Sequence, residues 1–79
     1  IEPTVVRLWV DYERAEGILR NPLHQSQRLE QEEIDGSVNI LLNIPLTSEF
    51  EAYLVKNHKQ IMVTSPTSLA HKVKKLVEG

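Results

Sequence analysis

Cysteine is missing from this 79-residue chain. Its absence excludes disulfides and thiolate metal sites and agrees with a reducing, cytoplasmic setting. Positive charge is not in excess either. Nine Lys and Arg stand against eleven Asp and Glu, a formal net charge of −2, so no global field draws the chain to nucleic acid or an anionic membrane. No apolar run approaches the roughly 18 residues that cross a bilayer, and nothing has the pattern of a signal peptide. Glycine occurs three times, as Gly17, Gly36 and Gly79, each alone, so there is no glycine loop to cradle a phosphate. With 41% hydrophobic and 25% charged residues, the composition is that of one small globular domain, residues 1–79, able to bury a single two-layer core. The chain starts on Ile1 and enters a strand almost at once, as a piece of a longer protein would.

What is present is organised around residues 26–46. Asp35-Gly36 at its centre is a strong hairpin signal and predicts a two-residue type I′ turn, with φ > 0 at both central positions. After the turn, Val38, Ile40, Leu42, Ile44 and Leu46 recur at period two, one apolar row along a strand. Asn39, Leu41 and Asn43 lie on its other side. Before the turn, Gln27 to Glu33 carries one aliphatic residue, Leu29, among charges. A polar strand paired with an apolar one reads as a sheet edge beside a sheet interior.

Val5 to Val10 is a strand with Val6, Leu8 and Val10 in one row and Val5, Arg7 and Trp9 in the other. Asp11 is a good N-cap for a helix over Tyr12 to Arg20, with Tyr12, Ala15, Ile18 and Leu19 as its apolar face. Asn21-Pro22 ends that helix. Ser48 followed by Glu51 has the form of a capping box and predicts a helix over Glu49 to Asn57, with Phe50, Tyr53 and Leu54 buried. Gln60 to Thr64 is a short strand. Ser65-Pro66 places serine at N-cap and proline at N1 of a last helix. Its stripe is Leu69, Val73, Leu76 and Val77. The order β-α-β-β-α-β plus a terminal helix predicts an α+β, ferredoxin-like two-layer sandwich. In it the first and third strands are central, and both crossover helices cover the same sheet face. The other face, carrying Val5, Arg7, Trp9, Asn39, Leu41 and Asn43, is expected to be open.

No catalytic constellation emerges, and no enzyme, metal or cofactor is expected. His24, His58 and His71 fall in different elements without ligand-like spacing. The serines have turn or cap explanations, and no Gly-x-Ser-x-Gly elbow occurs. Glu30 and Glu32 are expected on the same side of an edge strand, where charge discourages sheet-to-sheet pairing. An RNA-recognition sheet needs aromatics on its first and third strands. Trp9 would serve on the first, but residues 38–44 contain none. Lys72 and Lys75, with His71 and Lys74, form a basic cluster on the last helix. It reads either as a match to the helix C-terminal dipole or as a phosphate contact. Trp9 also has two readings: an indole within its own domain's core, or part of an apolar patch with Val5 and Leu41 that another domain or subunit covers. Arg7 beside it suits a carboxylate or phosphate.

Val6-Arg7-Leu8, the loop Asn21-Pro22-Leu23-His24-Gln25-Ser26-Gln27, the turn Asp35-Gly36-Ser37 and the segment Ser65-Pro66-Thr67-Ser68-Leu69 occur in this order. Together they resemble the C-terminal extension, called WCX, of WYL-domain bacterial transcriptional regulators. The resemblance covers essentially the whole chain, and Pro22 to Gln27 is its most specific part. It implies a DNA-binding domain and a WYL domain elsewhere in the same protein. DNA would be bound through that separate domain, not through this one. It further implies a homodimer and an effector, a nucleotide or single-stranded DNA, sensed by the WYL domain, with the extension relaying or completing the effector site. Carried over by position, Arg7, His24 and Gln27 are the residues to watch. The family often has a basic residue where Trp9 stands, an Arg where Ala70 stands and an aromatic where Leu23 stands. These departures turn the expectation from a grip on nucleic acid toward a protein–protein role. The expected function is a non-catalytic regulatory and dimerisation module. Its alternative is a free-standing small-ligand sensor similar to ACT domains, although the Val10-Asp11-Tyr12 turn lacks the glycine such loops commonly carry. An acylphosphatase-like enzyme on the same topology would need an arginine in that turn, where Asp11 stands.

Overall fold

The computed structural model describes residues 2–79. Seven elements follow in the expected order: β1 (Pro3–Val10), α1 (Tyr12–Arg20), β2 (Arg28–Glu32), β3 (Val38–Pro45), α2 (Ser48–Lys56), β4 (Ile61–Ser65) and α3 (Thr67–Glu78). The strands form one sheet in the order β2-β3-β1-β4, with every neighbouring pair antiparallel. The molecule is thus α+β, a four-stranded antiparallel sheet with three helices, compatible with a ferredoxin-like layout. β1 and β3 are central, and β2 and β4 are the edges.

The pairing of β1 with β3 explains the core. Their register sets Val6 opposite Leu42, Leu8 opposite Ile40 and Val10 opposite Val38. All six are at most 1% exposed. Facing aliphatic pairs on one side of a pleated sheet are what period-two patterning builds. Ala15 and Ile18 of α1, Phe50 and Leu54 of α2, and Leu69 and Val73 of α3 close the layer above them. Pro3 pairs with Pro45 at the end of the ladder, where residues without a donor cost little.

Several local expectations are corrected. The β2–β3 connection is not a type I′ turn, because Gly36 alone has positive φ, at 91°. The Gly36 N–H donates to the Glu33 carbonyl, and the Glu33 N–H donates to the Ser37 carbonyl. This is a three-residue loop, a β-turn followed by a left-handed glycine. Asp35 Oδ1 accepts from both the hydroxyl and the N–H of Ser37, at 2.7 and 2.9 Å.

Helix α2 begins one residue earlier than the capping box implied. Thr47 is the N-cap, its hydroxyl accepting from the Phe50 N–H, and Ser48 is already helical. Ser65 stays in β4 and Pro66 takes the N-cap position of α3 without a side-chain bond. Tyr12 and Leu19 are exposed, because a nine-residue helix across a narrow sheet buries only the Ala15–Ile18 line. Tyr12 instead stands over the hairpin loop, its Cβ 3.2 Å from where a side chain on Gly36 would begin. Leu76 is exposed as well, because the last turn of α3 is only partly covered.

Each edge strand carries a bulge. In β2, Leu29 pairs with Ile40 and Gln31 with Asn39, leaving Glu30 as the extra residue. In β4, Ser65 pairs with Arg7 and Val63 with Leu8, and the odd residue Thr64 donates its hydroxyl to the Arg7 carbonyl at 3.0 Å. The β2 bulge separates Glu30 from Glu32, which were expected on one side. Glu32 falls opposite Val38 in the helix-side row, while Glu30 reaches Arg7 on the other face.

Candidate functional site

Alternation that buries Val6, Leu8 and Val10 must turn Val5, Arg7 and Trp9 the other way, and the three helices leave that face uncovered. Register arranges it in rows. Val5 lies beside Asn43; Arg7, Leu41 and Arg28 form the next row; Trp9, Asn39 and Gln31 form the third, with Met62 of β4 on the far side of Trp9. Val5 is 48% and Met62 56% exposed. Trp9 and Leu41 are half-buried, Trp9 having a strand neighbour on each side. Arg7, Trp9 and Leu41 therefore share one surface, apolar in patches and polar between them.

Arg7 is not free on that surface. Its Nε lies 3.2 Å from Glu30 Oε1, with both side chains exposed. The pair arches over β3 above Leu41. An exposed pair of this kind contributes about 0.2–1 kcal/mol at most, so it orients the guanidinium more than it stabilises the fold. Asn39 donates to Glu33 Oε1 at 3.1 Å. Met62, Arg28 and the Arg7–Glu30 pair escaped the sequence reading. Alternation within residues 61–63 was a signal for Met62. The ion pair depends on the bulge, which has no local signature here.

The 21–27 loop holds His24 and Gln27 in structural work at the margin of this surface. Gln27 Oε1 accepts from the Leu23 N–H at 2.9 Å and its Nε2 donates to the Ile18 carbonyl at 3.0 Å. Both ends of the amide are thus spent on main chain, clamping the loop to the end of α1. Ser26 stands in for a missing strand residue: its hydroxyl accepts from the Asn43 N–H at 2.8 Å and donates to the Asn43 carbonyl at 3.1 Å. Those β3 groups would otherwise bond to β2, which begins only at Arg28. His24 Nδ1 accepts from the Ser26 N–H at 3.1 Å and lies 2.8 Å from its hydroxyl.

Lys72 and Lys75 sit apart from both groups, on α3 in the helical layer. Lys72 Nζ lies 2.9 Å from Glu51 Oε2, the carboxylate being mostly buried and the lysine half-exposed. That pair ties α3 to α2. Lys75 is exposed, in the last turn of α3. The structure therefore brings Arg7, Trp9 and Leu41 together, leaves His24 and Gln27 in a loop that meets β3 through Ser26 at Asn43, and places the two lysines elsewhere.

One carboxyl is clearly perturbed. The Ser37 hydroxyl, then the Ser37 N–H, hold Asp35 below its ordinary 3.8, because both donate to the charged form. It serves the loop and lies away from the open face. No helix among the described residues is long and apolar enough to cross a membrane.

No curated protein matches the chain. The sequence profile of the WCX domain matches residues 2–79, which is consistent with a C-terminal module of a WYL-type transcriptional regulator. A match over this length shows that the chain belongs to the WCX domain family.

Proposed function

We propose that this domain is a non-catalytic regulatory and dimerisation module of a WYL-type bacterial transcriptional regulator, ferredoxin-like in fold and working in the cytoplasm. Its open sheet face seats against the preceding WYL domain or the partner subunit. An effector, a nucleotide or single-stranded DNA, shifts that seating, and the shift is relayed to a DNA-binding domain elsewhere in the protein. Two placements of one face, differently favoured by the effector, are what such coupling requires. The observation that carries the reading is the asymmetry of the sheet. Helices cover the β1 and β3 rows of one face, while the other face leaves Val5, Trp9, Leu41 and Met62 in reach of solvent around an arginine paired with Glu30. Apolar residues with an oriented arginine are the composition of an interface centre.

Trp9 is the single tryptophan, so its emission reports on this face directly. Sedimentation of the chain across a concentration series, with Trp9 emission and acrylamide quenching read in parallel, tests the proposal. Self-association with a blue shift and loss of quenching places the face between subunits. A quenchable monomer whose Trp9 becomes protected when the WYL domain is joined to it supports the intramolecular seat. A Trp9 that neither event protects overturns the reading.

A further inference from the structure

We propose that the cationic concavity at the α2–β4 turn, away from the open sheet face, binds the phosphate group of a small phosphorylated ligand. The concavity is open, about 470 Å³, and lined by Arg14, Lys56, Asn57, His58, Lys59 and Gln60. Four of the six can carry positive charge and none is a carboxylate. The chain as a whole has more acids than bases, so this grouping runs against its average composition. The ion pairs among the described residues are Arg7–Glu30, Arg20–Glu16 and Lys72–Glu51. None of them neutralises this cluster.

Arg14 is the fixed point. Its Nε donates to Gln60 Oε1 at 2.8 Å, and an Nη donates to Asn57 Oδ1. Asn57 is buried, and its own Nδ2 donates to the Tyr53 carbonyl at 2.9 Å, which turns its oxygen toward Arg14. Main-chain bonds hold the other acceptor: the Gln60 N–H donates to the Asn57 carbonyl, and the Gln60 carbonyl accepts from Asp11. Both acceptors on Arg14 are neutral amides, so the guanidinium is oriented without being neutralised. Of its five N–H donors, two are engaged and three remain for a ligand. A planar, pre-set fork loses little freedom on meeting an oxyanion. Lys56 and Lys59 are exposed and long enough to close on it. A single carboxylate would be met by the arginine alone, whereas a phosphate dianion makes use of the lysines too.

The test is a titration of the 79-residue chain with inorganic phosphate, followed through its backbone amide and Arg14 Nε–H resonances, with acetate at matched ionic strength beside it. The expected result is saturable movement confined to Arg14 and residues 56–60 with phosphate and none with acetate. Replacing Lys56 and Lys59 together by Gln, at two exposed positions, should leave the melting midpoint in place and weaken phosphate binding about 10-fold. Arg14→Lys, which keeps the charge but not the fork, should weaken it by roughly the same factor or more. No saturable shift, an equal response to acetate, or full affinity in the double-lysine variant would overturn the proposal. None of these results depends on where Trp9 docks, so the two readings fail separately.

Discussion

Replacing Gln27 by Leu separates a structural clamp from a ligand contact at a position that resemblance alone marks for function. Leucine matches the amide side chain closely in size but can neither accept from Leu23 nor donate to Ile18, bonds of 2.9 and 3.0 Å in the structure. Each bond is worth about 0.5–1.5 kcal/mol net. Leu23 N–H and Ile18 C=O are part-buried, so water replaces the lost partners only incompletely. The variant should therefore be destabilised by about 1–3 kcal/mol. For a domain of this size each kcal/mol moves the melting midpoint by roughly 4–8 °C, so a fall on the order of 10 °C is expected. Gln27→Glu keeps the acceptor for Leu23 but sets a second oxygen against the Ile18 carbonyl, and it should recover little. Thermal unfolding followed by far-UV circular dichroism gives the melting midpoints, and urea unfolding followed by Trp9 emission gives the free-energy change. Unchanged stability in Gln27→Leu would refute the clamp and return Gln27 to the list of effector contacts.

Gly36→Ala should cost about 2 kcal/mol or more, from the left-handed backbone at φ 91° and the nearby Tyr12 Cβ; chemical denaturation measures it, and a near-neutral result would show that the loop can adopt another turn. A double-mutant cycle on Arg7→Ala and Glu30→Ala should give a coupling below about 1 kcal/mol that shrinks as salt rises. A larger, salt-independent coupling would mean that the pair is shielded from water. Asp35 titrates lower in the folded chain than when unfolded. Its contribution to stability is therefore complete above its ordinary value and is lost as pH falls through the depressed folded value. Asp35→Asn should flatten that part of an acid-unfolding profile, and a profile identical to that of the unaltered chain would refute the assignment.

The agreement between sequence and structure divides by range. The rows Val6, Leu8, Val10 and Val38, Ile40, Leu42 were legible because alternation is a property of a few consecutive residues. Two such rows can share a core only by facing it together. Asp11 was legible as an N-cap for the same reason: its carboxylate reaches an N–H two residues on. The choice between Thr47 and Ser48 was not, because adjacent residues offer the same hydroxyl. The chain's exit from β3, where the Thr47 N–H meets the Pro45 carbonyl, decides which of them caps α2.

For the functional surface the same rule holds more sharply. Period set Arg7, Trp9 and Leu41 on the side of their strands away from the core, and the order of elements, with both crossover helices on one face, left that side uncovered. Family membership rests on the sequence as well. Only the tertiary structure decided that Arg7 is already held by Glu30, 23 positions away, that Ser26 completes the edge of β3 at Asn43, and that Arg14 meets Asn57 and Gln60 more than 40 positions on. Those contacts depend on a bulge, a loop length and the packing of a helix over a turn. None of these leaves a periodic trace, because each is set by where the chain returns rather than by what its neighbours are.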